Sequence, residues 1–564
     1  TSRLGYRFAS TSSYGYTFPN ITCSDLYQDF VTVDASSGNT TYWQWENFAN
    51  YTQTFKEKHN VNAMIGMSFS SETAFDVTGN IRGSRVGDEV DLGITKLDPN
   101  YAYFNFQTGT ATRTLSGGEK RRYANLSYFG RMSYDFENKY FAQFTFRADA
   151  ADLSILPMQK RWGYFPAVSL GWLISNENFM KKVEPVTHLK LRASWGQNGS
   201  IAGLSDYMYD TAILSTIIYP MGNDPSYSVG SKPSSIGNHE LKWETSEQLN
   251  IGIDLRMFRD RLSFSADYFN KKTKDLIVTG IKTSLMAGNA ASPLNAGDVS
   301  NKGFEFELGW QDNIKDFSYS VKANIATLKN EVTYLHPTLD RLPASISAGA
   351  GTMNYFEEGY PVWYIRGYEV TGIDPETGEP IFVDKDNSGT LGEEDKTMIG
   401  SAIPDFTYGI TLNAAWKGFD LTVFGSGSQG NDVFMAWNRD TRRQVNTLTE
   451  FYEGRWTQAG DHAKYARANL TANNVQYLQS SKFVFDGSYF KIKQIQLGYT
   501  LPQTLLRKAN LSNVRVYCSL EDFFTFTKYP GFDPEFTATG SGMGLDMGSY
   551  PGSKKVVFGL NVSF

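Results

Sequence analysis

Between Asp384 and Asp395 the chain reads Asp-Lys-Asp-Asn-Ser-Gly-Thr-Leu-Gly-Glu-Glu-Asp. Counted from Asp384, positions 1, 3, 5, 7 and 12 are Asp384, Asp386, Ser388, Thr390 and Asp395. Carboxylates and a hydroxyl at alternating positions, a backbone carbonyl at position 7 and a closing carboxylate form an oxygen cage for a hard cation such as Ca2+. Gly389, at position 6, permits the sharp turn such a cage needs. Asp in place of Glu at position 12 shortens the reach for bidentate ligation, and Gly392 at position 9 leaves that ligand to a water. The competing reading is an acidic, solvated turn with no ion. The expected role of calcium here is structural, stiffening a loop.

This order of ligands resembles the EF-hand loop. No other stretch offers comparable chemistry. His59, His188, His239, His336 and His462 are scattered, and no HExxH, GxSxG or phosphate-loop motif is present. Glu305 and Glu307 share a strand face and could mimic a catalytic dyad, but they read as lining, and no enzyme activity is expected. Cys23 and Cys518 lie far apart without metal-type spacing. Acids and bases nearly balance, with net charge −6, which argues against a nucleic-acid binder driven by a basic surface.

The elements that must carry the acidic loop are strands. The closing stretch, from Lys554 to Phe564, puts Val556, Phe558, Leu560, Val562 and Phe564 on one face. Lys555, Gly559, Asn561 and Ser563 fall on the other, with Val557 the exception. The same period of two runs through Leu249–Met257, Leu262–Tyr268, Phe304–Trp310 and the stretch between Asp405 and Trp416. In Tyr489–Leu501 the apolar phase shifts between Ile492 and Ile495, which a bulge would explain. Aromatics make up 15% of the residues, which suits strands and interfacial girdles. No apolar run is long enough to cross a bilayer as a helix, so a membrane form must be a closed barrel.

Alternation alone fits a soluble β-sandwich as well as a barrel. The connections separate them. Short links fall near 56–59, 137–138, 175–187, 259–260, 311–316, 417–418 and 502–512. Long ones lie between them, at 10–40, 71–122, 148–161, 198–240, 273–299, 329–402, 429–482 and 525–552. Short links on one side and long ones on the other are the rhythm of an outer-membrane barrel. About sixteen strands are expected over 1–564, with 329–402 a long extracellular loop carrying the acidic motif at 384–395. Lys190, Arg192, Asp254, Arg256, Glu305, Glu307, Lys491 and Lys493 then point into a wet lumen.

Several stretches resemble the SusC/RagA family of TonB-linked outer-membrane transporters of Bacteroidota. They include Phe129-Gly-Arg-Met-Ser-Tyr-Asp-Phe136, Trp162-Gly-Tyr-Phe-Pro-Ala-Val-Ser-Leu-Gly-Trp172 and Leu189-Lys-Leu-Arg-Ala-Ser-Trp-Gly196. Leu241 to Asn250, Asp267 to Leu276, Asn301 to Glu305, Pro404 to Gly409, Gly487 to Pro502 and Phe523 to Glu535 continue the match in order. The resemblance implies a transmembrane antiparallel β-barrel of about 22 strands, of which this chain is the carboxy-terminal part. It also implies a plug domain and an energy-coupling box, neither of them visible here. The chain opens at Thr1 as if already inside a strand, with no apolar leader. The upstream strands and plug are therefore expected to lie before Thr1 or in a separate chain.

By that resemblance the function is TonB-dependent import of glycans or peptides across the bacterial outer membrane. The implied partners are a SusD-like surface lipoprotein, the TonB complex through the absent plug, and an oligosaccharide or peptide substrate. An alternative is a plugless or structural barrel, either a passive pore or an assembly partner. A third is a soluble β-rich adhesin or glycan-binding module. Trp437 and Tyr452, in long loops, could stack on sugars, but packing or an interfacial place is the plainer role, and no substrate-binding residue is assigned.

Overall fold

A computed structural model describes the chain outside residues 18–19, 24–25, 29–31, 83–111, 221–226, 280, 282–288, 345–350, 437–447, 469–473, 508–510 and 536. Sixteen wall strands follow one another: β1 (Ser2–Thr17), β2 (Thr32–Phe55), β3 (His59–Arg82), β4 (Thr112–Phe136), β5 (Tyr140–Ala150), β6 (Trp162–Leu173), β7 (Val186–Ser200) and β8 (Glu244–Met257). Then come β9 (Leu262–Val278), β10 (Leu294–Ile314), β11 (Phe317–Thr327), β12 (Phe406–Trp416), β13 (Phe419–Gln429), β14 (Tyr489–Thr500), β15 (Asn513–Thr527) and β16 (Lys555–Ser563). Each pairs antiparallel with the next, from Ser2↔Asn47 to Asn513↔Ser563. Lys329–Leu335 continues beside β10 where β11 ends.

The tight turns all lie at one end of the sheet. Lys56-Glu57 and Glu137-Asn138 have positive φ at both central positions, as a two-residue hairpin with the twist of its strands requires. Gly418 follows Lys417 in the same geometry, and a Cβ there would stand 2.8 Å from the Thr500 carbonyl oxygen. At Glu137 a Lys58 ion pair (2.6 Å) ties two neighbouring turns together.

The outward face is apolar and open. Leu4, Ile65, Met132, Phe144, Leu170, Ile251, Leu308, Leu412 and Phe558 are all exposed, Phe558 at 80%. Rings gather near the turns: Phe136, Tyr140 and Trp172 stack in series at 6.2 Å centroid spacings, and Phe419 meets Tyr499 at 4.5 Å. This is the apolar band and aromatic girdle of a membrane barrel.

The strands run further than expected at 10–40 and 71–122. β1 reaches Thr17, β2 begins at Thr32, β3 reaches Arg82 and β4 begins at Thr112. The register is unbroken from Thr32↔Arg82 to Phe55↔His59. These extensions are rich in Ser, Thr and Asn, so they pair through backbone without an apolar period. Only about 9–11 residues are needed to cross the lipid; at 24 residues each, β2 and β3 project well beyond it.

The phase shift in β14 is a bulge. Phe424 pairs Gln494 while Gly425 pairs Ile492, leaving Lys493 out of register. β15 shifts at the same level, with Asp522 at positive φ.

On the long-loop side the segments after β11, β13 and β15 fold against one another. Asn354–Phe356, Tyr364–Tyr368 and Lys396–Gly400 belong to one small sheet. Asp432–Met435 pairs antiparallel with Val484–Asp486 and parallel with Leu545–Asp546, joining two loops in another. Ile365, Phe434, Met435, Tyr477, Phe483 and Leu545 bury into one apolar cluster drawn from all three loops. Together these loops form a folded cap.

Candidate functional site

The acidic loop hangs from this cap. The carboxylate oxygens of Asp384, Asp386 and Asp395 lie within 4.8 Å of one another. Backbone amides set their directions. Asp384 accepts from the N–H groups of Ser388 (3.1 Å) and Gly389 (2.8 Å), and Asp386 from Ser388 (2.9 Å). Asp395, fully buried, accepts from Lys385 and Gly392, each at 2.7 Å. The Ser388 hydroxyl donates to the Thr390 carbonyl at 2.9 Å, so the oxygens of positions 5 and 7 meet. Gly389 has φ +75°, as the turn requires. Hydrogen bonds from the Ser388 side chain and backbone hold the Asp386 carboxyl below its usual range. All five predicted oxygen donors therefore belong to one tight loop, and their type fits a hard cation. Asp395 reaches the group despite its short side chain because its whole carboxylate is clasped inside the loop.

The last turn of the loop is fastened to the cap. Arg366, buried on the strand Tyr364–Tyr368, donates to the Glu393 carbonyl oxygen (2.8 Å) and lies 3.3 Å from its carboxylate. Lys396 also pairs Glu393, at 2.5 Å, and sits over the Tyr368 ring.

The inner wall carries paired charges. Arg192 bridges Asp254 (3.1 Å) and Asp267 (2.6 Å) across β7, β8 and β9. Arg515 pairs Asp420 at 2.5 Å across the β13–β14–β15 wall. Lys190 lies over the Phe141 ring. Glu305 and Glu307 stay exposed on the face opposite Phe304, Phe306 and Leu308. Lys491 and Lys493 are brought together by the bulge and share Glu535, at 2.7 and 2.6 Å. Lys491, 2% exposed, also holds Asp533 at 2.9 Å. Sequence reasoning placed these lysines inward but missed their carboxylate partners. A lysine in a strand that also carries a phase shift was the available signal, since a buried ammonium needs paired acids.

Tyr452 is exposed, with the Arg455 guanidinium 3.9 Å above its ring, and Trp437 lies outside the described residues. Cys518, on the outward face opposite Phe558, is a free thiol; the Cys23 side chain lies outside the described residues.

A meandering antiparallel sheet with an outward apolar band, an inward charged face and a folded cap over its long-loop side defines a transmembrane β-barrel. The family described as TonB dependent receptor-like, beta-barrel, matches residues 1–519, and the chain belongs to it. It is an outer-membrane protein, and a receptor family of this kind agrees with the expectation of no enzyme activity.

SusC, a TonB-dependent receptor of Bacteroides thetaiotaomicron, is 30% identical over 488 residues, covering 83% of this chain and 45% of SusC. TonB-dependent receptor P3 of Formosa agariphila is 29% identical over 558 residues, covering 93% of this chain and 52% of that protein. The chain thus spans about half the length of these relatives. Among solved structures, the RagAB peptide transporter superposes over the whole chain, and over 60% of its own, with a TM-score of 0.81 at 23% identity. That likeness carries the barrel fold.

Proposed function

We propose that this chain is the barrel part of an energised outer-membrane importer for oligosaccharides or peptides. Its partners in this reading are a SusD-like surface lipoprotein over the cap and the TonB complex acting through a plug. One observation carries it: an inner face of paired charges lies beneath a cap that is itself folded. A simple diffusion pore has no need of three loops sharing one core. The resemblance to the SusC/RagA family leaves room for a glycan, and the likeness to the RagAB peptide transporter supports a peptide. The test is uptake of labelled oligosaccharides and oligopeptides by cells carrying the complete protein, with co-purifying proteins identified. Uptake abolished by a proton uncoupler, with a surface lipoprotein retained, is the expected result. Leakage indifferent to the uncoupler overturns import in favour of a passive pore.

In the same reading Asp384, Asp386, Ser388, Thr390 and Asp395 hold a structural Ca2+. The close carboxylates and the hydroxyl–carbonyl pair support it. Bound calcium would neutralise the acids and fix the loop that Arg366 and Lys396 fasten to the cap. Titration calorimetry should show calcium binding that Asp384→Asn removes. No heat at millimolar calcium would refute the assignment.

A further inference from the structure

We infer that a level row of neutral side chains on the inner wall, from β3 to β8, is a track along which an oligosaccharide crosses the lumen. The inference rests on the import reading above and chooses between its two substrate classes. Asn62, Ser133, Gln143, Ser169, Ser194 and Asn250 stand directly opposite one another on six successive strands. Met132, Phe144, Leu170 and Ile251, each one residue from a member of the row, are exposed on the outward face, so the row points inward. It runs through a concavity of about 630 Å³. Gln143 is exposed and the other five are half-buried, so each of them is open to the lumen.

The row keeps hydrogen-bonding groups unused. Ser133 donates to the Gln143 amide oxygen at 3.1 Å, and Gln248 to that of Asn250 at 3.0 Å. Among the described residues, the NH2 groups of Gln143 and Asn250 and the hydroxyls of Ser169 and Ser194 have no partner. On β11 to β13 the polar side chains satisfy one another instead: Asn413 donates to Ser320 at 3.3 Å and accepts from Thr422 at 2.9 Å. Charge is absent from the row and committed beside it. Toward the turns, Asp135 accepts from Asn60 at 2.7 Å, Arg192 bridges Asp254 and Asp267, and Lys190 lies over Phe141 with Asp254 directly opposite. Toward the long loops, the next row from Met64 to Gln248 carries one charge, Arg131, opposite Met64 and Thr145. A guanidinium also donates to sugar hydroxyls.

The spacing fits the ligand. Neighbouring strands lie about 4.8 Å apart, close to one pyranose ring with its linking oxygen. A glycan laid across the strands therefore meets a fresh donor or acceptor at each ring. An extended peptide repeats each of its faces about every 6.7 Å and falls out of step. The six strands carry the row over roughly 24 Å. Because such strands tilt by about 35–45°, a row perpendicular to them climbs the wall obliquely, and travel along it advances across the membrane. Several weak, equivalent contacts hold a substrate and still release it.

The test is energised uptake by cells carrying the complete protein. The probes are labelled oligosaccharides of matched length cut from starch, xylan, mannan and levan, and neutral peptides of that length. The wild type should take up an oligosaccharide. Gln143→Ala/Ser169→Ala should slow that uptake about tenfold through its lost hydrogen bonds, with surface abundance and the retained lipoprotein unchanged. Gln143→Asn/Ser169→Thr should keep most of the rate, and Asn413→Ala should leave it unchanged. Wild-type uptake by the double Ala variant, or uptake of peptides alone, overturns the track and leaves import standing. Entry indifferent to a proton uncoupler, or none, overturns the import reading and the track with it. A photoreactive benzoylphenylalanine replacing Ser194 should capture the labelled sugar during uptake. Capture of another segment of the protein in its place would make the row a packing seat and overturn the proposal.

Discussion

The wall and the cap use the same apolar residue types in opposite places. In the wall, Phe306, Leu308 and Phe558 face out and are exposed, while Arg192, Asp254 and Asp267 pair inside. In the cap, Tyr364, Phe434 and Leu545 are buried while Tyr452 and Glu393 lie toward water. The difference follows from the solvent. Lipid supplies the wall's apolar environment, so the strands need only satisfy their backbones with one another. The cap stands in water and must bury its own core. One chain therefore folds by two rules, and the border between them runs along the upper ends of the wall strands.

The sharpest way to break this contrast is to empty the cap's core. Phe434→Ala should cost about 3–5 kcal/mol. The loss should be local: hydrogen exchange should rise across 351–405, 430–436 and 540–546, while the tight turns below stay protected. Lys491→Ala should come close, at about 3–5 kcal/mol, because it strands Asp533 as a buried charge, while Glu535 keeps Lys493. Its effect should appear as protease sensitivity between β15 and β16.

In the wall the sensitivities reverse. Phe306→Arg should cost about 2–4 kcal/mol in a bilayer. Glu307→Gln, one residue on but facing in, should leave stability within about 0.5 kcal/mol. Folding titrations in lipid vesicles would compare the two. At the turn, Gly418→Ala should cost about 1 kcal/mol through its positive φ, read by the same titration.

Acid offers a gentler probe of the border. Burial raises the Glu535 pKa, but hydrogen bonds and charge from Lys491 and Lys493 outweigh it, and the carboxyl ends below its usual range. A carboxyl lowered in the folded state adds stability above its unfolded pKa of about 4.3 and loses it as pH falls through the lowered value. The segment after β15 should thus stay protected at neutral pH and loosen only below about pH 4, which proteolysis across a pH series can follow.

The sequence made the membrane part of the wall legible because lipid on one side and water on the other force a period of two. The count of strands, the side of the short turns and the bulge near Lys493 all followed from that. The Ser- and Thr-rich extensions of β1 to β4 were not legible, since both of their faces meet water and no period survives. The cap was hidden for another reason. Its core residues carry no repeat, and their partners are remote: Asn354 hydrogen-bonds the Met543 carbonyl from 189 residues away. The acidic loop could be read because its donors lie within one short span. The acids around Lys491 could not, because they come 42 and 44 residues later.

The central claim is the inverted wall, and alternate residues of β10 test it most directly. With Cys23 and Cys518 replaced by serine, single cysteines at Phe304, Glu305, Phe306, Glu307 and Leu308 would be probed in vesicles. A membrane-confined maleimide and a charged aqueous one would be compared. Positions 304, 306 and 308 should react only with the lipid-phase reagent, and 305 and 307 only with the aqueous one. Aqueous labelling at all five, or the reverse alternation, would contradict the account.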